Sequence, residues 1–181
     1  MILTESIKQQ LIQCSSGLIS NDISQIINYR VNFNEFQEVL NCVYNEQNQS
    51  LFEAVLWCMP NCLSHNELEI IYSKYIILNN HKEHENIIGL FQSEFYDNIE
   101  NISVLLQCIN NIPEYLSPED FKYPYIRKII YAIGAQPEPY NIEALEKIAN
   151  ETEDEQIKEL ALHQIKKRKE FGRWESAENI K

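Results

Sequence analysis

Along most of the chain apolar residues recur every three or four positions, the spacing that gathers them on one stripe of an α-helix rather than on alternate faces of a strand. One stripe runs through Leu51, Phe52, Val55, Leu56 and Met59, and the next through Leu68, Ile71, Tyr72, Tyr75 and Ile76. Others follow at Ile87, Ile88, Phe91, Phe95; at Ile102, Leu105, Leu106, Ile109, Ile112; at Ile126, Ile129, Ile130, Ile133; at Ile142, Leu145, Ile148, Ala149; and at Ile157, Leu160, Ala161, Ile165. Each stripe needs a partner helix to cover it. The breaks carry the chemistry of helix ends: Ser64 and Asn66 as N-cap candidates, Ser117 before Pro118, Gly134 as a C-cap, Pro137 and Pro139 stopping continuation, Gly172 ending the last helix. Four glycines and six prolines leave long stretches without the punctuation that many short strands require. The pattern predicts an all-α protein of about ten helices with short connections.

The helices also recur as pairs. Every second one is expected to begin near Asn48, His84, Tyr123 and Asp154, which are 36, 39 and 31 residues apart, and the intervening ones near Phe33, Asn66, Glu100 and Asn141. Helix pairs repeating at this distance stack into a solenoid. The expectation is one continuous right-handed α-α solenoid domain: capping helices over residues 1–32, helical repeats over 33–172 and a tail over 173–181. Trp174 in that tail either caps the stack or docks a partner.

The stretch PYIRKIIYAIGA resembles the second helix of a HEAT repeat: Ile126 and Arg127 lead to the spaced positions Ile130 and Ile133 and a terminal Gly134. NIEALEKIANETEDEQIKELALHQIKK looks like a complete repeat of that type. With the spacing, the resemblance covers about residues 33–170. NNHKEHENIIGLFQ, with His81, His84, Glu85 and Asn86, is similar to a motif in small bacterial HEAT-repeat proteins that reads aromatic-His-x-x-His-Glu-Asp-Ile; this chain has Asn80 and Asn86 where that motif has an aromatic and Asp. Some of those proteins are associated with toxin-immunity loci, and the resemblance implies a binding role of that kind.

Charge narrows the partner. The net charge is −12, and residues 65–120 carry −8 of it, against +3 over 166–181. An acidic surface repels phosphate backbones and steers basic partners inward, so nucleic acid is disfavoured. The basic run Lys166 to Lys169 falls in the last turns of a predicted helix, where cations oppose the negative end of the helix dipole. Cys14, Cys42, Cys58, Cys62 and Cys108 are odd in number and lack paired C-x-x-C spacing, so reduced thiols are expected. MILTESIKQQLIQC is not a signal peptide, and no apolar run reaches membrane-spanning length. A cytoplasmic protein without membrane attachment and monomeric by preference is expected.

Two constellations invite chemistry. His81, His84 and Glu85, at i, i+3, i+4, would share a face if one helix held all three, and could then bind a metal or act as an acid–base pair, with His65 and His163 joining only through the fold. A turn ending before His84 would remove that face. No phosphate loop, H-E-x-x-H or G-x-S-x-G pattern occurs, and Glu119 with Asp120 reads as the first turn of a helix. The second constellation is aromatic: Tyr72 and Tyr75 read as core, whereas Tyr115, Tyr123 and Tyr125 fall in an expected turn, where they are candidates for an exposed interface beside carboxylates. The leading expectation is therefore a non-enzymatic, cofactor-free solenoid, an immunity-type inhibitor gripping a basic toxin or effector domain. Its partner-binding set is Glu85, Glu94, Asp97, Glu100, Tyr115, Glu119, Asp120, Tyr123, Tyr125 and Arg127. The alternatives are a metal-binding or hydrolytic protein using His81, His84 and Glu85, and a small-molecule binder in the solenoid groove.

Overall fold

Side-chain caps fix where the helices start. Asn32 and Glu35 form a reciprocal capping box: Glu35 N–H donates to Asn32 Oδ1 at 3.1 Å and Asn32 N–H to Glu35 Oε2 at 3.0 Å. Ser64 and Glu67 repeat the arrangement at the next pair, with Ser64 N–H donating to Glu67 Oε2 at 2.7 Å. Asn48 accepts from Leu51 N–H, and Asp154 from Gln156 and Ile157 N–H. Each cap satisfies donors that a helix start leaves open and contributes about 1 kcal/mol.

The computed structural model describes residues 3–15 and 22–172. Among them are ten α-helices, one 3-10 turn and no strand. The helices are α1 (Glu5–Ser15), α2 (Ile23–Ile26), α3 (Phe33–Asn45), α4 (Gln49–Trp57), α5 (His65–Tyr75), α6 (His84–Ser93), α7 (Glu100–Asn110), α8 (Glu119–Gly134), α9 (Tyr140–Glu151) and α10 (Glu155–Phe171), with the 3-10 turn Glu114–Leu116 before α8. The expected starts hold to within a residue except at α8, which begins four residues before Tyr123. Phe121 and Lys122 N–H already donate to Pro118 O at 2.9 and 2.8 Å, so Glu119 and Asp120 form the first turn as expected and Pro124 sits within the second. Asn66 lies inside α5, and Ser64 alone of the two candidates is its cap. Trp174 and the tail lie outside the described residues, as does the side chain of Cys14.

The chain divides into two compact units. Met1–Tyr72 and Leu78–Glu83 form the first, in which α4 packs against α1 and α3, and α1 against α2. Leu11, Ile23, Phe36, Leu40, Leu51, Phe52 and Leu56 are buried at its centre. Asp22 ties two connections together: it accepts from Ser24 N–H at 2.7 Å and from Asn61 N–H at 3.2 Å.

Ser73–Ile77 and the residues from His84 onward form the second unit. Here α6 and α10 flank α8, while α7 and α9 pack on α8 and on each other. Lys128 of α8 reaches Glu85 near the start of α6, and Gln136 just beyond α8 reaches Phe91 near its end, so these helices run parallel. Tyr123–Asp154 and Tyr131–Lys167 contacts set α8 parallel to α10 in the same way. Three parallel helices thus form one layer and α7 and α9 the other. Ile87, Phe91, Leu105, Ile126, Ile129, Ile133, Leu145 and Ile157 fill the space between them.

A buried amide network crosses that core. Ser73 Oγ donates to Asn101 Oδ1 (3.1 Å), Asn101 Nδ2 to Gln136 Oε1 (3.2 Å), and Gln136 Nε2 to the carbonyls of Phe91 and Ala132 (3.2 and 3.0 Å). Asn141 Nδ2 donates to Gly134 O at 3.1 Å. Asn101 and Asn141 are each the second residue of the first helix of a pair, a position that Asn34 and Asn66 occupy in α3 and α5.

Gly134 is not the C-cap its position suggested. It remains helical, and Ala135 takes the cap with φ −83°. Its missing Cβ instead leaves room for the fully buried Gln164 side chain, whose Cγ would lie 2.8 Å from a Cβ there. Oriented with its oxygen toward Arg168, the Gln164 amide accepts from Arg168 Nε at 3.1 Å and Nη2 at 3.2 Å. Gly172 does end α10 in the left-handed region, at φ 67°.

Candidate functional site

The structure separates the histidines that local spacing would have joined. Helix α6 begins at His84, so His81 precedes it and no helical face is shared. His81 belongs to the first unit, where its buried ring lies 5.2 Å from that of Phe52 and its Nδ1 accepts from Glu83 N–H at 3.1 Å. His84 is buried in the second unit, its Nδ1 3.1 Å from the Tyr115 hydroxyl. His65 and His163 are exposed on α5 and α10, and no group of three potential metal ligands gathers among the described residues.

The aromatic set is corrected more sharply. Tyr125 is in helix α8, fully buried, and cannot touch a docked partner; its hydroxyl is enclosed beside the Cys108 thiol. The neighbouring Cys108 thiol is pushed up to about 12, first by burial, so it stays protonated. Tyr115, in the 3-10 turn, is half-buried and engaged with His84. Tyr123 is half-buried in α8, and its hydroxyl donates to Asp154 Oδ2 at 3.0 Å. That bond raises the tyrosine pKa. Burial acts to raise Asp154, but the Ile157 and Gln156 N–H groups and the Tyr123 hydroxyl together hold it below the ordinary 3.8. Tyr72 and Tyr75 are core, as expected.

Parallel packing of α6 and α8 splits the predicted acidic residues. Glu119 and Asp120 open α8, whereas Glu94, Asp97 and Glu100 lie between the end of α6 and the start of α7, at the opposite end of the layer. All five are exposed. Between the two ends the face of α8 and α10 is cationic: Lys128 Nζ pairs with Glu85 at 2.8 Å, and Arg127 and Lys167 both approach the Tyr131 ring. Of the predicted set, Tyr123 and Arg127 line a groove of about 430 Å3 together with Gln92, Pro124, Lys128, Tyr131, Gln156 and Leu160, and Glu85 adjoins it through its pair with Lys128. The sequence reads Lys167 only as part of the helix-end basic run, leaves Tyr131 out of the binding set and does not single out Gln156; the signal for this face is the i, i+4 pair Arg127 and Tyr131 where hydrophobic periodicity leaves solvent.

The basic run Lys166 to Lys169 serves the fold in several ways. Lys166 pairs with Glu170, Lys169 with Glu146, and Arg168 Nη1 donates to Gly172 O at 3.1 Å, satisfying a carbonyl past the helix end. A second groove, of about 700 Å3, is walled by Leu106, Ile109, Ile112, Ile126, Ile148 and Ile157 with Lys122 and Lys147 among its lining residues. Among the described residues no helix is long and apolar enough to cross a membrane. No family model, no curated protein and no solved structure matches this chain.

Proposed function

We propose that this chain is a HEAT-like α solenoid that works without catalysis, holding a basic protein domain of the toxin or effector kind in the manner of an immunity-type inhibitor. The supporting observation is that the acidic ends stand outside the ion pairs of the fold. Glu94, Glu100, Glu119 and Asp120 are exposed, and none is in an ion pair among the described residues, where the chain's cations pair instead with Glu5, Glu46, Glu85, Glu146, Glu155 and Glu170. Carboxylates outside ion pairs keep more of their field for steering a basic partner, and they discriminate against acidic ones. The alternating layers of the second unit and the Asn at the second position of each pair's first helix support the repeat reading. Tyr123, Tyr131 and Arg127, between the acidic ends, are residue types that supply anchors in interfaces.

The test is capture from an extract of the native host on the immobilised chain, with elution in salt steps. A basic protein that is retained at low salt and released as salt rises supports the reading, because screening removes the steering field. A retained partner that is acidic, or one indifferent to salt, contradicts it.

A further inference from the structure

Tyr131 carries two cations on its ring, Arg127 at 5.3 Å and Lys167 at 5.5 Å from the centroid. Arg127 Nη2 also lies 3.5 Å from the Tyr131 hydroxyl. Neither cation is in an ion pair among the described residues, in a chain with 27 acidic residues against 15 basic ones. Two like charges gathered at one ring repel each other, and attraction to the ring face offsets only part of that. An anion placed between them would relieve it.

Beside this cluster lies the groove of about 430 Å3, within the size range of small-ligand pockets. Tyr123, Pro124 and Leu160 give it flat apolar walls, and Gln92 and Gln156 supply amide donors and acceptors.

We propose that this groove binds a small phosphate monoester carrying a planar ring, of mononucleotide size. A phosphate monoester is close to a dianion at neutral pH, and at the Tyr131 edge of the groove it meets Arg127, which lines the groove, with Lys167 at the same ring. The guanidinium fork takes two phosphate oxygens at once, which an ammonium cannot do. The ring of the ligand lies against Tyr123 and Pro124, with the glutamine amides at its edge. Length is limited by charge: Glu119 and Asp120 at one end of the layer, and Glu94 and Glu100 at the other, repel a polyphosphate or a nucleic-acid strand that extends past the groove. The site does not use the acidic ends, but it shares Tyr123, Tyr131 and Arg127 with the protein interface proposed above.

Calorimetric titration of the full chain with adenosine monophosphate tests it, with adenosine, inorganic phosphate and a glutamate-rich peptide as comparators. The expected result is saturable binding of one nucleotide per chain, weaker binding of phosphate and none of adenosine. Arg127→Ala and Lys167→Ala should each weaken the nucleotide by about tenfold, Arg127→Lys should recover only part of the loss, and Glu94→Gln should leave affinity unreduced. Arg127 and Lys167 are exposed, and thermal unfolding of each variant separates lost binding from lost fold. No saturable binding at millimolar nucleotide, equal affinity in folded Arg127→Ala, or tighter binding of the acidic peptide would overturn the assignment.

Discussion

Asn101 Nδ2 donates to Gln136 Oε1 at 3.2 Å with both side chains buried, linking the start of α7 to the end of α8. Gln136 spends its own Nε2 hydrogens on the carbonyls of Phe91 and Ala132. Truncating Asn101 therefore leaves a buried acceptor unsatisfied. Asn101→Ala should destabilise the chain by about 1–3 kcal/mol, read as a lower urea midpoint with an unchanged slope; a midpoint that does not move would show the network to be energetically idle.

The two interior helical glycines should respond in opposite directions. A Cβ at Gly134 would press on Gln164 where that side chain is fully enclosed, so Gly134→Ala should cost about 1–3 kcal/mol. At Gly89 nothing lies within 4 Å, and Gly89→Ala should stabilise α6 by roughly 0.5–1 kcal/mol through helix propensity. Thermal melts of the pair decide the matter, and a shift of the same sign in both would contradict the packing.

Capping makes the fold sensitive to acid. Glu35 is held below the ordinary 4.5 first by the Asn32 N–H, then by the Tyr29 hydroxyl, and Glu67 first by the Ser64 N–H, then by its hydroxyl. A depressed carboxylate contributes stability that is present above its unfolded pKa and lost as pH falls through the folded one. Stability should thus fall below about pH 4.5, and Glu35→Gln with Glu67→Gln should flatten that fall. An unaltered acid limb in the double variant would assign the loss elsewhere.

Tyr125 and Cys108 form a buried polar pocket with no role at the surface. Tyr125→Phe removes a buried hydroxyl that faces the weakly hydrogen-bonding Cys108 thiol, and should change stability by no more than about 1 kcal/mol. Thiol alkylation of the folded chain should modify exposed Cys42 and Cys62 and spare Cys108. Modification of Cys108 at the rate of Cys42 would show that this core opens.

Helix positions were legible because caps and stripes are local. Phe33, His84 and Glu100 begin helices where periodicity put them, whereas α8 starts early since Pro118 supplies carbonyl contacts ahead of the apolar run. Hydrophobic periodicity has no signal for a polar core, so Asn101, Gln136, Asn141 and Gln164 were missed. For α7 the stripe was only half right: Leu105 is buried with Asn101 and Cys108, while Ile102, Leu106 and Ile109 are half-buried, Leu106 and Ile109 as walls of a groove. At Phe95 the backbone turns to φ 52°, and it is Tyr96 that is buried. For the site, net charge announced the acidity but not its division between two ends of a layer, which depends on α6 and α8 being parallel.

The most direct test of the proposed function compares capture by the wild-type chain with capture by two charge-reversed forms, Glu119→Lys with Asp120→Lys and Glu94→Lys with Glu100→Lys, in host extract at equal salt. These residues are exposed and outside the ion pairs described above. Glu100, Glu119 and Asp120 lie in first helical turns, where reversal costs about 0.3–1 kcal/mol each, so thermal melts are used to show that both forms are folded. The wild type should retain a basic protein, and at least one reversed form should lose it. Equal retention by all three chains would contradict the proposed function.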